Sequence, residues 1–279
     1  MNGEIIDLGP SGTGSLDAAD EHALRQAVAI LEGKSFIGRL TEITGEPLAQ
    51  VMKRIPGPVN RQINKAVQKA LSQALEVALY RMGKTGIPEP AIAFQLASGL
   101  TGGISGFFGM TALALELPVT TTLMLRSIAG IAARHGEQLH KPAARLACLE
   151  VFALGPQGKH GMSGETSYYA ARAFLAKAVS EAAQNLLERG AARTATPAIV
   201  EFITSVSSRF GVVVSEKVAA GAIPVVGAVG GATINLAFMQ HFQQLARAHF
   251  LIRRLERRYG AETVRERYRS HEEIRKARI

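Results

Sequence analysis

The sequence predicts an all-α protein built as one helical bundle, and three observations lead there. Apolar residues recur at three- and four-residue steps along most of the chain. Strand signals reduce to one short run, GVVVSE at 211–216. The composition is rich in Ala and Gly, lacks Trp and is only 6% aromatic, which suits closely packed helices better than a sheet. With 47% hydrophobic and 20% charged residues, a chain of 279 residues can bury a substantial core. No stretch reads as a linker between domains. Residues 19–260 are therefore taken as one domain, after a disordered lead-in over 1–18 and before a charged tail over 261–279.

The elements follow in chain order. Residues 18–32 and 35–54 carry helical spacing of apolar positions. Pro56 and Pro58 break the chain, and Val59 to Met82 reads as one amphipathic helix with Ile63, Val67, Ala70, Leu71, Ala74, Leu75 and Ala78 on its apolar face. KTGIPEP is a turn, and Pro88 or Pro90 opens the next helix. Pro118 starts a further helix that Gly136 closes, and Pro142 begins another, through Phe152. GPQGKHGMSGET (155–166) is a loop, followed by a helix to residue 189. Thr196 and Pro197 cap a helix to about Phe210, and a long helix runs to about Tyr259.

Two runs carry almost no charge. Residues 91–115 hold 25 consecutive uncharged residues and 218–240 hold 23, both long enough to span a bilayer. Small and polar residues dilute them, so insertion gains little in hydrocarbon. A buried core or partial insertion competes with spanning. Each Gly in a soluble helix interior costs about 1 kcal/mol relative to Ala. Gly99 with Gly103, Gly102 with Gly106, and Gly227 with Gly231 are spaced four apart, which lets a second backbone approach closely. The two runs are therefore expected to lie against each other or against a common neighbour.

Charge is distributed as unevenly as glycine. The chain carries a formal +9, and from Arg247 to Ile279 there are eleven Lys/Arg against five Asp/Glu. Between residues 91 and 133 only Glu116 and Arg126 are charged. A charge isolated in an apolar run must pair, face water or cost several kcal/mol, on the order of 3 to 5. Glu116, Arg126 and Asn235 are accordingly candidates for one buried polar network. For Glu116 the preferred reading is a helix cap, two residues before Pro118, with the network as the alternative.

GFFGMTALALELPVTTTLMLRSIAGIAARHG resembles the signature of the EcsC protein family: a Gly-rich apolar run, an acidic-Leu-Pro step, a Thr-containing helix with an Arg, and IA-x-x-(aromatic or His)-G. AIPVVGAVGGATINLAFMQHFQQLARAHFLIRRLERRYG resembles the family's second Gly-rich block, and RIPGPVNRQINKAVQKAL matches an earlier segment more loosely. The resemblance spans roughly 35–260, with Glu116 where Asp is the more usual acid. It implies a membrane-associated role beside an ABC exporter or in secretion, and brings no catalytic mechanism.

The chemistry that can be read from motifs is thin. GISGF and GMSGE lack the last Gly of a nucleophile elbow, and EGKS at 32–35 has Val28 where a phosphate-binding loop needs Gly. His135, His140 and Glu150 lie close in sequence without metal-ligand spacing, so neither a metal nor a cofactor is expected. Cys148 sits in the apolar run RLACLEVFAL and reads as a buried structural thiol. Arg253, Arg254, Arg257 and Arg258 follow an apolar stretch on the last long helix, which suits the anionic cytoplasmic face of a membrane. No aromatic stacking platform accompanies them, which argues against nucleic acid.

The leading expectation is a non-enzymatic, membrane-associated accessory protein on the cytoplasmic side of the cell membrane, with a membrane protein such as a transporter as a possible partner. Two alternatives stand beside it: a soluble helical module that binds a lipid or apolar ligand, and a hydrolase using Glu116, His160 or His135 and His140 in a cleft.

Overall fold

The computed structural model describes residues 15–44, 52, 55–81, 109–155, 167–189, 196–221 and 224–277. Among these residues the chain forms nine α-helices and no strand: α1 (Ala18–Leu31), α2 (Phe36–Thr44), α3 (Gly57–Arg81), α4 (Gly109–Arg134), α5 (Pro142–Glu150), α6 (Ser167–Arg189), α7 (Pro197–Gly221), α8 (Pro224–Tyr259) and α9 (Ala261–Lys276). A 3-10 turn, Val151–Ala153, extends α5.

The 36-residue α8 is the axis of the bundle and packs against α1, α2, α4, α7 and α9. Side-chain hydrogen bonds give the directions. Asn235 bonds to Glu116, Gln243 to Ser127 and Arg253 to Glu137, so residue numbers climb together and α4 runs parallel to α8. Phe210 meets Phe238 and Phe242 while Lys217 lies level with Glu116, so α7 runs against both. Around this crossing Phe36, Phe152, Phe210, Phe238 and Phe242 bury their rings with centroids 4.9 to 6.1 Å apart, mostly edge-on or tilted. Such contacts add roughly 0.5–1.5 kcal/mol each beyond area burial.

Several boundaries differ from the sequence reading, each for a physical reason. GVVVSE is helical, because α7 continues to Gly221 with Val213, Val214, Ser215, Glu216 and Lys217 all buried. Packing on nearly every side outweighs the modest preference of β-branched residues for strands. Pro118 lies inside α4, about nine residues from its start. Its missing N–H and ring cost a mid-helix position about 3 kcal/mol, against which stands the burial of the apolar Leu117 and Met124 on either side of it. No helix starts at Pro118 for Glu116 to cap. The charged tail over 261–279 is a helix as far as Lys276: Gly260 turns the chain at φ 90°, and α9 packs on α1 and α8 through buried Val264 and Tyr268. Within the lead-in, Leu16 is buried and the Asp17 carboxylate accepts the Asp20 N–H at 2.7 Å, capping α1.

Gly136 closes α4 at φ 82°, a conformation that favours Gly, and directs the chain toward α5. Cys148 is fully buried on α5 and its thiol donates to the Ala144 carbonyl at 3.3 Å. Burial raises its pKa far above the ordinary thiol value, so it stays protonated and inert.

Candidate functional site

Two polar sites mark the two ends of the α4–α8 pair. They are separated by the rise of about 18 residues along α8, roughly 27 Å.

At the end where α4 and α8 begin and α7 finishes, the Lys217 ammonium donates to Glu116 Oε1 at 2.7 Å. Asn235 Nδ2 donates to the same oxygen at 2.9 Å. Both charged side chains are only 9% exposed, which makes this a buried ion pair. Lys217 also lies 5.0 Å from the Phe238 ring centre. Burial lowers the Lys217 pKa, and Glu116 works against that shift. One residue away, Glu216 accepts the Ile37 N–H at 3.0 Å and so caps the first turn of α2 from another helix. Burial pushes the Glu216 carboxyl up to about 7, against the Ile37 hydrogen bond. His241 stacks at a tilt on Phe36, and burial, with Arg39 nearby, brings its pKa down to about 3. Its ring is neutral at ordinary pH.

At the opposite end, arginines alternate with carboxylates. Arg253 grips Glu137 through two bonds of 2.8 and 3.1 Å, and Arg257 adds a third at 2.6 Å. Glu137 is 5% exposed. Burial works to raise its pKa, yet the bonds and charges of Arg253 and Arg257 hold it below the ordinary range. Arg254 and Arg258 share Asp20, at 3.0 and 2.8 Å, and Tyr259 donates to it at 3.1 Å. A cleft of about 220 Å³ opens beside Lys141, Arg253 and Arg257.

Between the ends, α6, α8 and α9 enclose a tyrosine cluster. Arg172 binds Glu256 through both nitrogens, at 2.6 and 3.1 Å, and Tyr168 hydroxyl meets His249 Nδ1 at 3.0 Å. Burial first, then Arg172 and Arg253, drives the His249 pKa well down and keeps the ring uncharged. Glu150 is buried nearby, and its carboxyl is raised by burial against the pull of Arg172 and Arg253.

The predicted polar network is therefore brought together in part. Glu116 and Asn235 meet; Arg126 does not join them, because its position on α4 faces solvent. Lys217 stands in its place. Gly99, Gly102, Gly103 and Gly106 lie outside the described residues. Gly227 and Gly231 fall in the first turns of α8, where the surroundings of their Cα positions are likewise not described. Arg253, Arg254, Arg257 and Arg258 are committed to Glu137, Asp20 and Asp17 rather than standing free. His135 follows the end of α4, some 19 residues and about 28 Å of helix from Glu116, so the two do not converge. His160 is outside the described residues, and no group of three metal ligands forms among those described.

Sequence reasoning missed Lys217, although a signal was there: Glu116 ends the first uncharged run and Lys217 immediately precedes the second. The carboxylates that hold the arginines, Glu137 and Asp20, are more than a hundred residues away in sequence, and nothing local marks them.

The EcsC protein family model matches residues 22–255, the span that contains the Glu116–Lys217–Asn235 site and the Arg253–Glu137 pair. This chain belongs to the EcsC protein family. Neither a curated protein nor a solved structure matches it. For this EcsC protein, both signature blocks fall on the paired helices α4 and α8, and Glu116, the acidic residue of the first block, meets Asn235 of the second. One helix among the described residues, α7, is long and apolar enough to cross a membrane, and more than half of that stretch is buried inside the bundle.

Proposed function

We propose that this EcsC-family protein is a non-enzymatic accessory protein that associates with the cytoplasmic face of a membrane through the end of the bundle where α4 and α8 begin. The observation that carries this reading is the charge pattern of that end. Three uncharged stretches gather there, the start of α4, the end of α7 and the first half of α8. The ionisable residues bounding them, Glu116 and Lys217, satisfy each other in the interior. Pairing Glu116 with Lys217 in the interior removes two charges that would otherwise have to be solvated there, which lowers the cost of contact with a lipid interface. The opposite end supports the docking less, since its arginines already face internal carboxylates. An ABC exporter is the membrane partner to test first, in keeping with the family resemblance.

Flotation of the purified full chain with vesicles tests the reading. Contact through an apolar end predicts flotation that persists at high salt, because salt does not screen apolar burial. Absence of flotation with any vesicle, at low or high salt, would return this end to the role of a packed core.

Of the residues named for the hydrolase alternative, Glu116 is bonded to Lys217 and Asn235 and His135 lies at the far end of α4, while His160 is outside the described residues.

A further inference from the structure

Among the described residues, the exposed cations without a partner that line up on one helix face lie on α3, not among the paired arginines at the end of α8. Arg61, Lys65 and Lys69 follow one another at four-residue steps, so their side chains leave the helix within about 80° of arc and form a single stripe. All three are exposed. None forms an ion pair or a side-chain hydrogen bond among the described residues, whereas Arg253, Arg254, Arg257 and Arg258 of α8 all do. No acidic residue occurs in α3 before Glu76, and the stripe is flanked by the neutral side chains of Gln62, Gln68 and Ser72.

The direction of α3 places this stripe. Leu79, near its C-terminus, accepts Arg145 Nη1 at 2.7 Å, beside the turn that follows α4. Asn64, near its N-terminus, sits against Gly211 of α7, where an added Cβ would come within 3.1 Å of Asn64 Oδ1. Gly211 is under two turns from Lys217. α3 thus begins toward the sealed, uncharged end of the bundle and ends beside the α4–α5 turn. Arg61, the first cation of the stripe, therefore lies toward the uncharged end of the bundle.

We infer that the Arg61–Lys65–Lys69 stripe is the electrostatic docking face for an anionic phospholipid bilayer, acting beside the uncharged end that enters the interface. This rests on the membrane reading proposed above. A surface of negative headgroups fits a linear stripe of flexible cations without requiring a shaped pocket, and each Lys or Arg brought to the surface adds attraction that salt screens.

The test compares three full-length proteins: the parent, the triple variant Arg61→Gln/Lys65→Gln/Lys69→Gln, and a control triple Arg25→Gln/Lys141→Gln/Arg269→Gln. The control removes three exposed cations that have no side-chain partner among the described residues and lie on other helices or turns, so both triples change net charge equally. Gln keeps helix propensity close to that of Lys and Arg, and circular dichroism checks that each variant folds. Binding is measured at low salt to vesicles of phosphatidylcholine alone and of phosphatidylcholine with phosphatidylserine. The α3 triple is expected to lose its preference for the anionic vesicles by on the order of 100-fold, with the control within about threefold of the parent. Equal losses in both triples would make net charge responsible and overturn the inference, as would an α3 triple with its preference intact. An α3 triple that keeps its vesicle preference but loses retention on homopolymeric RNA would assign the stripe to nucleic acid instead. A parent that binds neither vesicle would overturn the membrane reading itself, and this inference with it.

Discussion

The two ends of the α4–α8 pair solve the same electrostatic problem in opposite ways. At the uncharged end the Glu116 carboxylate accepts from the Lys217 ammonium and the Asn235 amide, on three different helices, with both charged side chains only 9% exposed. At the basic end four arginines share Glu137 and Asp20, with Asp17 also beside Arg258, so Glu137 and Asp20 each have two cationic partners and each arginine keeps part of its surface in water. The first arrangement is an ion pair buried in the interior, and the second shares its acids among several partly exposed cations. The uncharged end should therefore be brittle toward single substitutions, and the basic end tolerant.

The sharpest way to break the comparison is Lys217→Met. It leaves Glu116 buried without its cation, and a loss of about 3–5 kcal/mol is expected in denaturant unfolding. The double variant Glu116→Leu/Lys217→Met should recover most of that loss, because an apolar replacement of both partners removes the desolvation cost together with the attraction. A single variant no less stable than the double would mean that the pair is not sealed.

Glu137→Gln comes next, because this carboxylate is the least exposed member of the basic end. A loss of about 2–3 kcal/mol is expected from weakening its charge-assisted bonds. Its folded pKa is depressed below the ordinary 4.5, so the stabilisation is present above that value and disappears as pH falls toward the folded value. The variant should accordingly show a shallower acid limb in stability against pH.

Glu216 carries the opposite sign. Its folded pKa is raised to about 7 from 4.5, so the unfolded chain releases this proton first. A stability penalty accumulates as pH rises through that window and is complete above about 7. Glu216→Gln, which still accepts the Ile37 N–H, should gain about 2 kcal/mol over the parent at mildly alkaline pH, with the gain vanishing below the ordinary carboxylate value. A difference independent of pH would exclude ionisation of Glu216 as its source.

The smallest effect is expected for Arg254→Ala. Its side chain is 44% exposed, and Asp20 retains Arg258 and Tyr259. A change below about 1 kcal/mol in unfolding free energy, with unaltered vesicle flotation, would confirm the tolerance of this end. A loss as large as that of Lys217→Met would erase the contrast.

How much of this was legible depended on range. The helices α3, α6 and α8 could be read from spacing, and the Gly136 stop from local turn chemistry, because those depend on residues a few positions apart. The continuation of α4 through Pro118 and of α7 through GVVVSE could not, since in both cases burial against distant helices overrides a local preference. For the site, Glu116 and Asn235 stood out as polar residues in or beside uncharged runs. Arg126 stood out for the same reason and faces solvent, because sequence isolation marks a charge as unusual without saying which side of the helix it leaves from.

By itself, the sequence determined that this chain is helical, where its uncharged and basic stretches lie, and to which family it belongs. All of these follow from short-range periodicity, composition or a linear signature. Tertiary structure alone decided which charges are free. The conspicuous arginines of α8 are neutralised by Glu137 and Asp20 across gaps of more than a hundred residues, while the modest Arg61, Lys65 and Lys69 of α3 keep their charge for the surroundings. The reason is physical: an ion pair depends on separation in space, and only the packing of α1, α4 and α8 brings those acids within reach.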